Sequence, residues 1–232
     1  MTYVMSDLHG QYEKYISMLD KIGFCDDDTL YVLGDIVDRG DDVIKLLKDM
    51  MSRSNVLPIM GNHDFMALHI MNKLAVEITE ENFDTQVDTS LIDDLLLWQI
   101  NGGQPTIDGF QKLSAEERAD ILDYIEDFPY YDVVEIGEKC FILVHSGLGN
   151  FQTDKELYEY TIDELAFKRS TYDTKYFSDN VFVVSGHTPT LKLTGQAKIY
   201  HNCNNICIDC GACFSRGKLA CLCLDTMEEF YV

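Results

Sequence analysis

Apolar positions in the first sixty residues come in short runs separated by amphipathic stretches. The run Tyr3-Val4-Met5 precedes a segment, 11–22, in which Tyr15, Met18, Leu19 and Ile22 share one helical face. A second run, "LYVLG" at 30–34, precedes Val43, Leu46, Leu47 and Met50 at helical spacing. A third, "VLPIM" at 56–60, leads into a helix that starts at "GNHD" and reaches the mid-70s. Strand, helix, strand, helix, strand predicts parallel strands with crossover helices. From 75 to 130 the pattern is mostly helical. There, "SAEERADILDYI" carries a capping box, Ser114 with Glu117 three positions on, and Thr161 with Glu164 in "TIDEL" repeats the signature. "NGGQPT" at 101–106 offers a phosphate-binding nest or a turn, and the turn is preferred because glycine is the default turn residue. Strands return with "CFILVH" at 140–145 and "VFVVSGH" at 181–187. "KIYHN", "NICIDC" and "KLACLCLD" follow, at a spacing that predicts antiparallel hairpins and meanders. No linker-like stretch intervenes, so one domain over 1–232 is expected, with a mostly helical insertion at about 75–130.

Composition narrows the picture. The chain has 232 residues, 46% of them hydrophobic, enough for a full core. Its net charge of −22 argues against nucleic acid and anionic membranes as partners. The same charge opposes any anionic substrate unless the site brings its own positive charge. No segment has the roughly 18 uninterrupted apolar residues of a membrane span. No basic and then apolar leader precedes the first strand, so a cytoplasmic location is expected. Six of the eight cysteines fall at 203–223. Cys207, Cys210 and Cys213 have a spacing also seen in iron–sulfur sites. The preferred reading is buried thiols on strands of small apolar residues, with Gly211 and Gly217 at the turn.

The chemistry sits where the apolar runs stop. "SDLHG", "GDIVDRG", "GNHD", "VHSG" and "SGHT" each follow a predicted strand, and α/β sheets place their ligand sites at strand carboxyl ends. In an extended chain Asp7 and His9 would face the same side, and carboxylate and imidazole both suit a divalent metal. Four of the six histidines, His9, His63, His145 and His187, fall in these segments. The other two read as surface or packing residues, with a place for His201 at the mouth of the site as the lesser option. The single Trp98, in "LLLWQI", reads as core.

The ordered set of five segments resembles the calcineurin-like metallophosphoesterase superfamily. Within it the closer resemblance is to the bacterial branch of the PPP-type serine/threonine protein phosphatases, and "GDIVDRG" is its most specific segment. "SDLHG" replaces the commoner "GDIHG" and keeps both ligands. "GNHD" replaces the eukaryotic "GNHE" and is shared with bacterial members and with diadenosine tetraphosphate hydrolases of similar fold. The resemblance spans nearly the whole chain. It implies an α/β fold, a β-sandwich of two mixed sheets flanked by helices, carrying two divalent ions. Asp7 and His9 would bind the first ion, Asp35 would bridge both, and Asn62, His145 and His187 would complete the second. This N/O donor set suits Mn²⁺ foremost, then Fe or Zn²⁺. By the same resemblance His63 would protonate the leaving oxygen, with Asp38 orienting it. Arg39 would grip the phosphoryl oxygens, and a second arginine is expected after "VHSG". Arg169 fits by position, although Phe167 stands where the bacterial pattern has Trp. The implied reaction is in-line attack on phosphorus by a metal-bridging hydroxide. The favoured activity is a metal-dependent phosphomonoesterase acting on phosphoserine or phosphothreonine in proteins, or on a small phosphate ester. A dinucleoside polyphosphate hydrolase is the first alternative, and a non-catalytic, cysteine-based redox module the second. Basic or aromatic grips for two nucleosides, which the first alternative needs, are not evident in a chain with one Trp and a charge of −22.

Overall fold

The alternation of apolar residues along the strands divides the interior into layers. The structure, a computed structural model, describes residues 1–75 and 89–232. Helical content expected at 76–88 lies outside the described residues. Strands β1 (Thr2–Met5), β2 (Thr29–Val32) and β3 (Val56–Pro58) are parallel neighbours, joined by helices α1 (Tyr12–Ile22) and α2 (Val43–Met51). Helix α3 (Asn62–Ala75) starts at "GNHD" as its sequence predicts. Helices α4 (Thr89–Ile100), α5 (Gln104–Gln111) and α6 (Ala115–Glu126) follow. Helix α5 packs on α2, while α4 and α6 pack on α3. The capping box forms as read: Glu117 N–H donates to Ser114 Oγ at 3.2 Å, and Ser114 N–H to Glu117 Oε2 at 2.9 Å.

The second sheet comprises β4 (Tyr131–Ile136), β5 (Lys139–Val144), β6 (Val181–Ser185), β7 (Tyr200–Asn202) and β8 (Asn205–Cys207). Its order is β4-β5-β6-β8-β7, with β5, β6 and β8 parallel and both edges antiparallel. The predicted late meander is therefore only half right. Strands β7 and β8 form a hairpin, but "KLACLCLD" does not join them. Its strand, β9 (Ala220–Cys223), returns to the first sheet and pairs antiparallel with β1, and β10 (Glu229–Tyr231) covers its other edge. The physical reason is two-faced burial. Cys221 and Cys223 face the helix layer with Tyr3 and Met5, whereas Ala220, Leu222 and Leu224 face the second sheet with Val4, Leu33 and Phe141. A strand buried on both faces belongs inside a sheet. Alternation in β5 continues the stack, with Phe141 and Leu143 between the sheets and Ile142 and Val144 under the segment 148–165. The result is two mixed sheets packed face to face with helices outside, as the resemblance implies. No helix among the described residues is long and apolar enough to cross a membrane.

Candidate metal centre

Beyond the strand ends the backbone turns left-handed rather than staying extended. Asp7, His9, Asp35, Asp38, Arg39 and His187 have φ of 52°, 43°, 54°, 72°, 66° and 63°. Such residues cost of order 1–3 kcal/mol each and persist only where surrounding structure fixes them. Here hydrogen bonds between neighbouring loops do so. Asp7 N–H donates to Gly34 O at 3.0 Å, His9 N–H to Asp35 O at 2.8 Å, and Arg39 N–H to Gly102 O at 2.8 Å. The extended-chain argument for Asp7 and His9 thus reaches the right pair through the wrong backbone. Close approach also requires glycine: a Cβ on Gly61 would stand 2.2 Å from Asp35 N, and one on Gly34 would stand 2.4 Å from Gly61 N.

These loops gather the candidate ligands. His9 Nδ1–H donates to Val37 O at 2.8 Å, and His145 Nδ1–H to Leu33 O at 2.6 Å. Each ring therefore turns its Nε2 to the interior. Both Nε2 atoms face Asp35, His9 at 3.5 Å from Oδ2 and His145 at 3.3 Å from Oδ1. A carboxylate oxygen opposite a bare imidazole nitrogen is a pair of acceptors, which a shared cation satisfies. Asp35 belongs to both potential ion-holding groups, His9–Asp35–His63 and Asp35–His145–His187, so each of its oxygens can serve a different ion. Asn62 Oδ1 lies 3.1 Å from His145 Nε2 and 2.9 Å from His187 Nδ1. Asp7, 4% exposed, accepts from His187 N–H at 3.0 Å and lines the same cleft. The side chains thus fit two divalent ions. Burial lowers the His9 and His187 imidazoles to about 3, keeping both neutral and able to ligate. Burial raises Asp7 to about 6; burial also pushes Asp35 up, but the charged form of the imidazoles around it, His145 and then His63 foremost, outweighs this and holds its carboxyl below the usual range.

His63 enters the first group but is tied differently. Its Nδ1–H donates to Asp38 Oδ2 at 2.6 Å, and its Nε2 faces the cleft beside Arg39 Nη2 at 2.9 Å. Burial pulls this imidazole down, yet the carboxylates of Asp35 and Asp38 outweigh it and the net shift is upward, opposite to His9 and His187. Arg39 also donates through Nη1 to His9 Nε2 at 2.7 Å. Arg39 and Arg169 line one cleft of about 310 Å³ with Lys192, Phe167 and Phe214. The loop "NGGQPT" is a turn whose Gly102 carbonyl holds Arg39.

Several residues with a part in the site escaped the sequence reading, Lys192 and Phe214 on the cleft wall among them. Trp98 is buried as expected, but its indole N–H donates to Asp38 Oδ2 at 2.8 Å, and the Thr106 hydroxyl donates to Asp38 Oδ1 at 2.7 Å. Asp64 is fully buried and accepts from the backbone N–H groups of Asp35, Ile36, Val37 and Gly61. Asp209, buried on the cleft wall near Asp7, has its carboxyl pushed up by burial. Only Asp64, the last residue of "GNHD", stands in one of the five segments the sequence singles out at strand ends; the Asp38 partner of Trp98 and Thr106 lies 60 and 68 positions away. His201 is exposed and pairs with Glu229 at 2.8 Å, away from the cleft. His69 is exposed beside Asp94 at 3.9 Å. The thiols of Cys207, Cys210 and Cys213 have separate surroundings, facing Thr188 O, Thr190 Oγ1 and Arg39 respectively.

Residues 2–211 match the family model for calcineurin-like phosphoesterases. Among curated proteins, the chain is 29% identical over 167 residues to the symmetrical bis(5'-nucleosyl)-tetraphosphatase of Buchnera aphidicola, covering 70% of this chain and 58% of that one. Against the enzyme of the same name from Nitrosomonas europaea it is 30% identical over 149 residues, 63% of this chain and 44% of that one. The chain thus spans about half the length of these relatives. Among solved structures, it resembles a protein provisionally named a diadenosine tetraphosphatase (TM-score 0.69, 17% identity, 100% of this chain and 92% of that one). It also resembles a yeast protein serine/threonine phosphatase (TM-score 0.57, 14% identity, 100% and 79%). At these identities the structural likeness concerns the fold. With the family match running from the first strand to the cleft wall beyond Asp209, the chain belongs to the calcineurin-like phosphoesterase family.

Proposed function

We propose that the protein is a two-metal hydrolase of dinucleoside polyphosphates, cleaving a phosphoanhydride bond of a diadenosine tetraphosphate-type substrate. This reading displaces phosphoprotein hydrolysis, which the sequence favoured. The observation that carries it is the cleft wall. Phe167 and Phe214 supply aromatic faces, and Arg39, Arg169 and Lys192 supply cations, all around the His/Asp groups. These are the nucleoside and phosphate grips that composition alone hid. The tetraphosphatase activity named for the curated relatives points the same way.

In this reading Asp7 and His9 would hold one ion and Asn62, His145 and His187 the other, with Asp35 serving both. When bound, such a pair supplies Lewis acidity at the phosphoryl group and acidifies water near neutral pH. The protein's own groups do the rest. Arg39 and Arg169 take phosphoryl oxygens, a task suited to the planar guanidinium. His63, oriented by Asp38, delivers a proton to the departing oxygen. Phosphomonoester hydrolysis is a second reading, favoured by one observation: a histidine so firmly oriented by a buried carboxylate is most useful when the leaving group is a basic alkoxide.

The test compares kcat/KM of the metal-loaded protein on diadenosine tetraphosphate, a phosphoserine peptide and a bis-aryl phosphodiester. The dinucleotide should be preferred by at least about tenfold, with two ADP as products of symmetrical cleavage. A phosphoserine peptide hydrolysed faster than the dinucleotide reverses the order of the two readings.

A further inference from the structure

The only tryptophan of the chain is buried, yet its one polar atom is spent on the site rather than on its own helix. An indole N–H can donate and cannot accept. That of Trp98 donates to Asp38 Oδ2, 2.8 Å away, the oxygen that also accepts from His63 Nδ1 at 2.6 Å. The opposite oxygen accepts from the Thr106 hydroxyl at 2.7 Å, and this hydroxyl in turn accepts the Asp38 backbone N–H at 2.9 Å. Asp38 has no solvent exposure and a left-handed backbone. Its carboxylate therefore sits in a cage of three donors, only one of which is His63.

The same nine-residue stretch grips the neighbouring arginine. Gly102 O accepts the Arg39 N–H at 2.8 Å, and a Cβ on Gly102 would stand 2.7 Å from Arg39 Cγ. A Cβ on Gly103 would stand 2.6 Å from the Trp98 ring, so the turn and the indole are fitted to each other. Trp98, Gly102 and Thr106 thus hold two successive residues: Asp38, buried behind His63, and Arg39, which lines the cleft.

We propose that Trp98 and Thr106 are positioning residues that fix the plane of the Asp38 carboxylate, so that Nε2 of His63 points at the departing oxygen. The inference rests on His63 being the proton donor. A buried carboxylate with one donor can rotate about its Cβ–Cγ bond and carry the imidazole with it. Two neutral donors, one on each oxygen, remove that freedom.

The test uses the metal-loaded full chain and a series of aryl and alkyl phosphate monoesters of rising leaving-group basicity. Trp98→Phe removes the N–H and keeps a ring; Thr106→Val removes the hydroxyl at nearly constant shape. Each should lower kcat on the most basic leaving groups by about tenfold, a fraction of the 10²–10⁴ that general acid catalysis supplies. The loss should shrink steadily toward p-nitrophenyl phosphate, with metal content retained, and Thr106→Ser should restore most of the activity. An equal loss across the whole series would reduce both residues to packing and overturn the proposal. His63→Asn is the control for the underlying reading. If it too slows all substrates equally, the proton-donor role fails and the positioning role with it. If His63→Asn is selective while Trp98→Phe and Thr106→Val are not, only the positioning role fails. A readout independent of turnover covers variants that fold poorly. Asp38→Asn should change the emission of Trp98, because the indole N–H donates directly to the charge removed. Emission identical to wild type in folded Asp38→Asn overturns the proposal.

Discussion

Asp35 belongs to both groups that could hold an ion, with one oxygen facing His9 and the other facing His145. Replacing it by Asn leaves one oxygen and puts an amide NH2, which does not ligate a cation, where the second ion would need an oxygen. Asp35→Asn should therefore lower bound metal more than any other single ligand change, to below one equivalent, and abolish turnover. Metal analysis finding two full equivalents in the purified variant would refute the bridge. Residues such as this were legible in the sequence because each follows an apolar run directly, so strand geometry delivers it to a common edge. Asp7, His9, Asp35, Asn62, His63, Arg39, Arg169 and His187 all reach one cleft, and His145 joins them through Asp35. Trp98, Thr106, Asp64 and Asp209 were illegible for the opposite reason. Each looks like an ordinary core or turn residue until folding brings a partner, and Asp64 never touches the cleft at all, acting through four backbone N–H groups.

Among the elements, the segment from 149 to 169 carries Phe167 and Arg169 to the cleft without a long helix to stiffen it. Its stiffness comes from Glu164, which accepts from Lys155 Nζ at 2.7 Å, Thr161 N–H at 3.0 Å and Asn150 Nδ2 at 3.2 Å. The Lys155 ammonium foremost, with the Thr161 N–H, lowers this carboxyl from 4.5 to about 2. An acid depressed by folding contributes stability above its unfolded pKa and loses it as pH falls through the folded one. Glu164→Gln should therefore cost about 1–2 kcal/mol at neutral pH, a figure reduced for the solvent that reaches the pair. The gap to wild type should close between about pH 4.5 and pH 2. Denaturant titrations at pH 7 and pH 2.5 check this, and a gap that stays constant would remove the ion pair from the account. The capping pair Thr161–Glu164 was visible in the sequence, but its tie to Lys155 was not. The element most misjudged was β9. Local spacing suggested a hairpin with β8, whereas burial on both faces places it beside β1, more than two hundred positions away. Turn spacing reports neighbours in sequence. The absence of polar alternation in "ACLC" was the better guide to a central strand.

At the scale of the whole molecule, a charge of −22 surrounds a cleft lined by the cations Arg39, Arg169 and Lys192. The two fields act over different distances. Close contacts inside the cleft are poorly screened, while the acidic exterior acts at long range and is screened beyond roughly 8–10 Å at physiological salt. A polyphosphate approaching from solution meets repulsion first and attraction only on arrival. At saturating divalent metal, raising KCl from about 10 to 100 mM shortens the Debye length about threefold. The association step should then speed up, and kcat/KM for diadenosine tetraphosphate should rise about twofold or more over that range. A neutral exterior with the same cleft would give the reverse, because salt would then only weaken the attraction. Lys192→Gln separates the two effects, since it removes local attraction and leaves the exterior almost unaltered. It should lower kcat/KM at every salt concentration while preserving the upward slope. A kcat/KM that falls monotonically with KCl in the wild-type protein would mean that the field at the cleft mouth is already positive, and that the acidic surface does not gate the substrate.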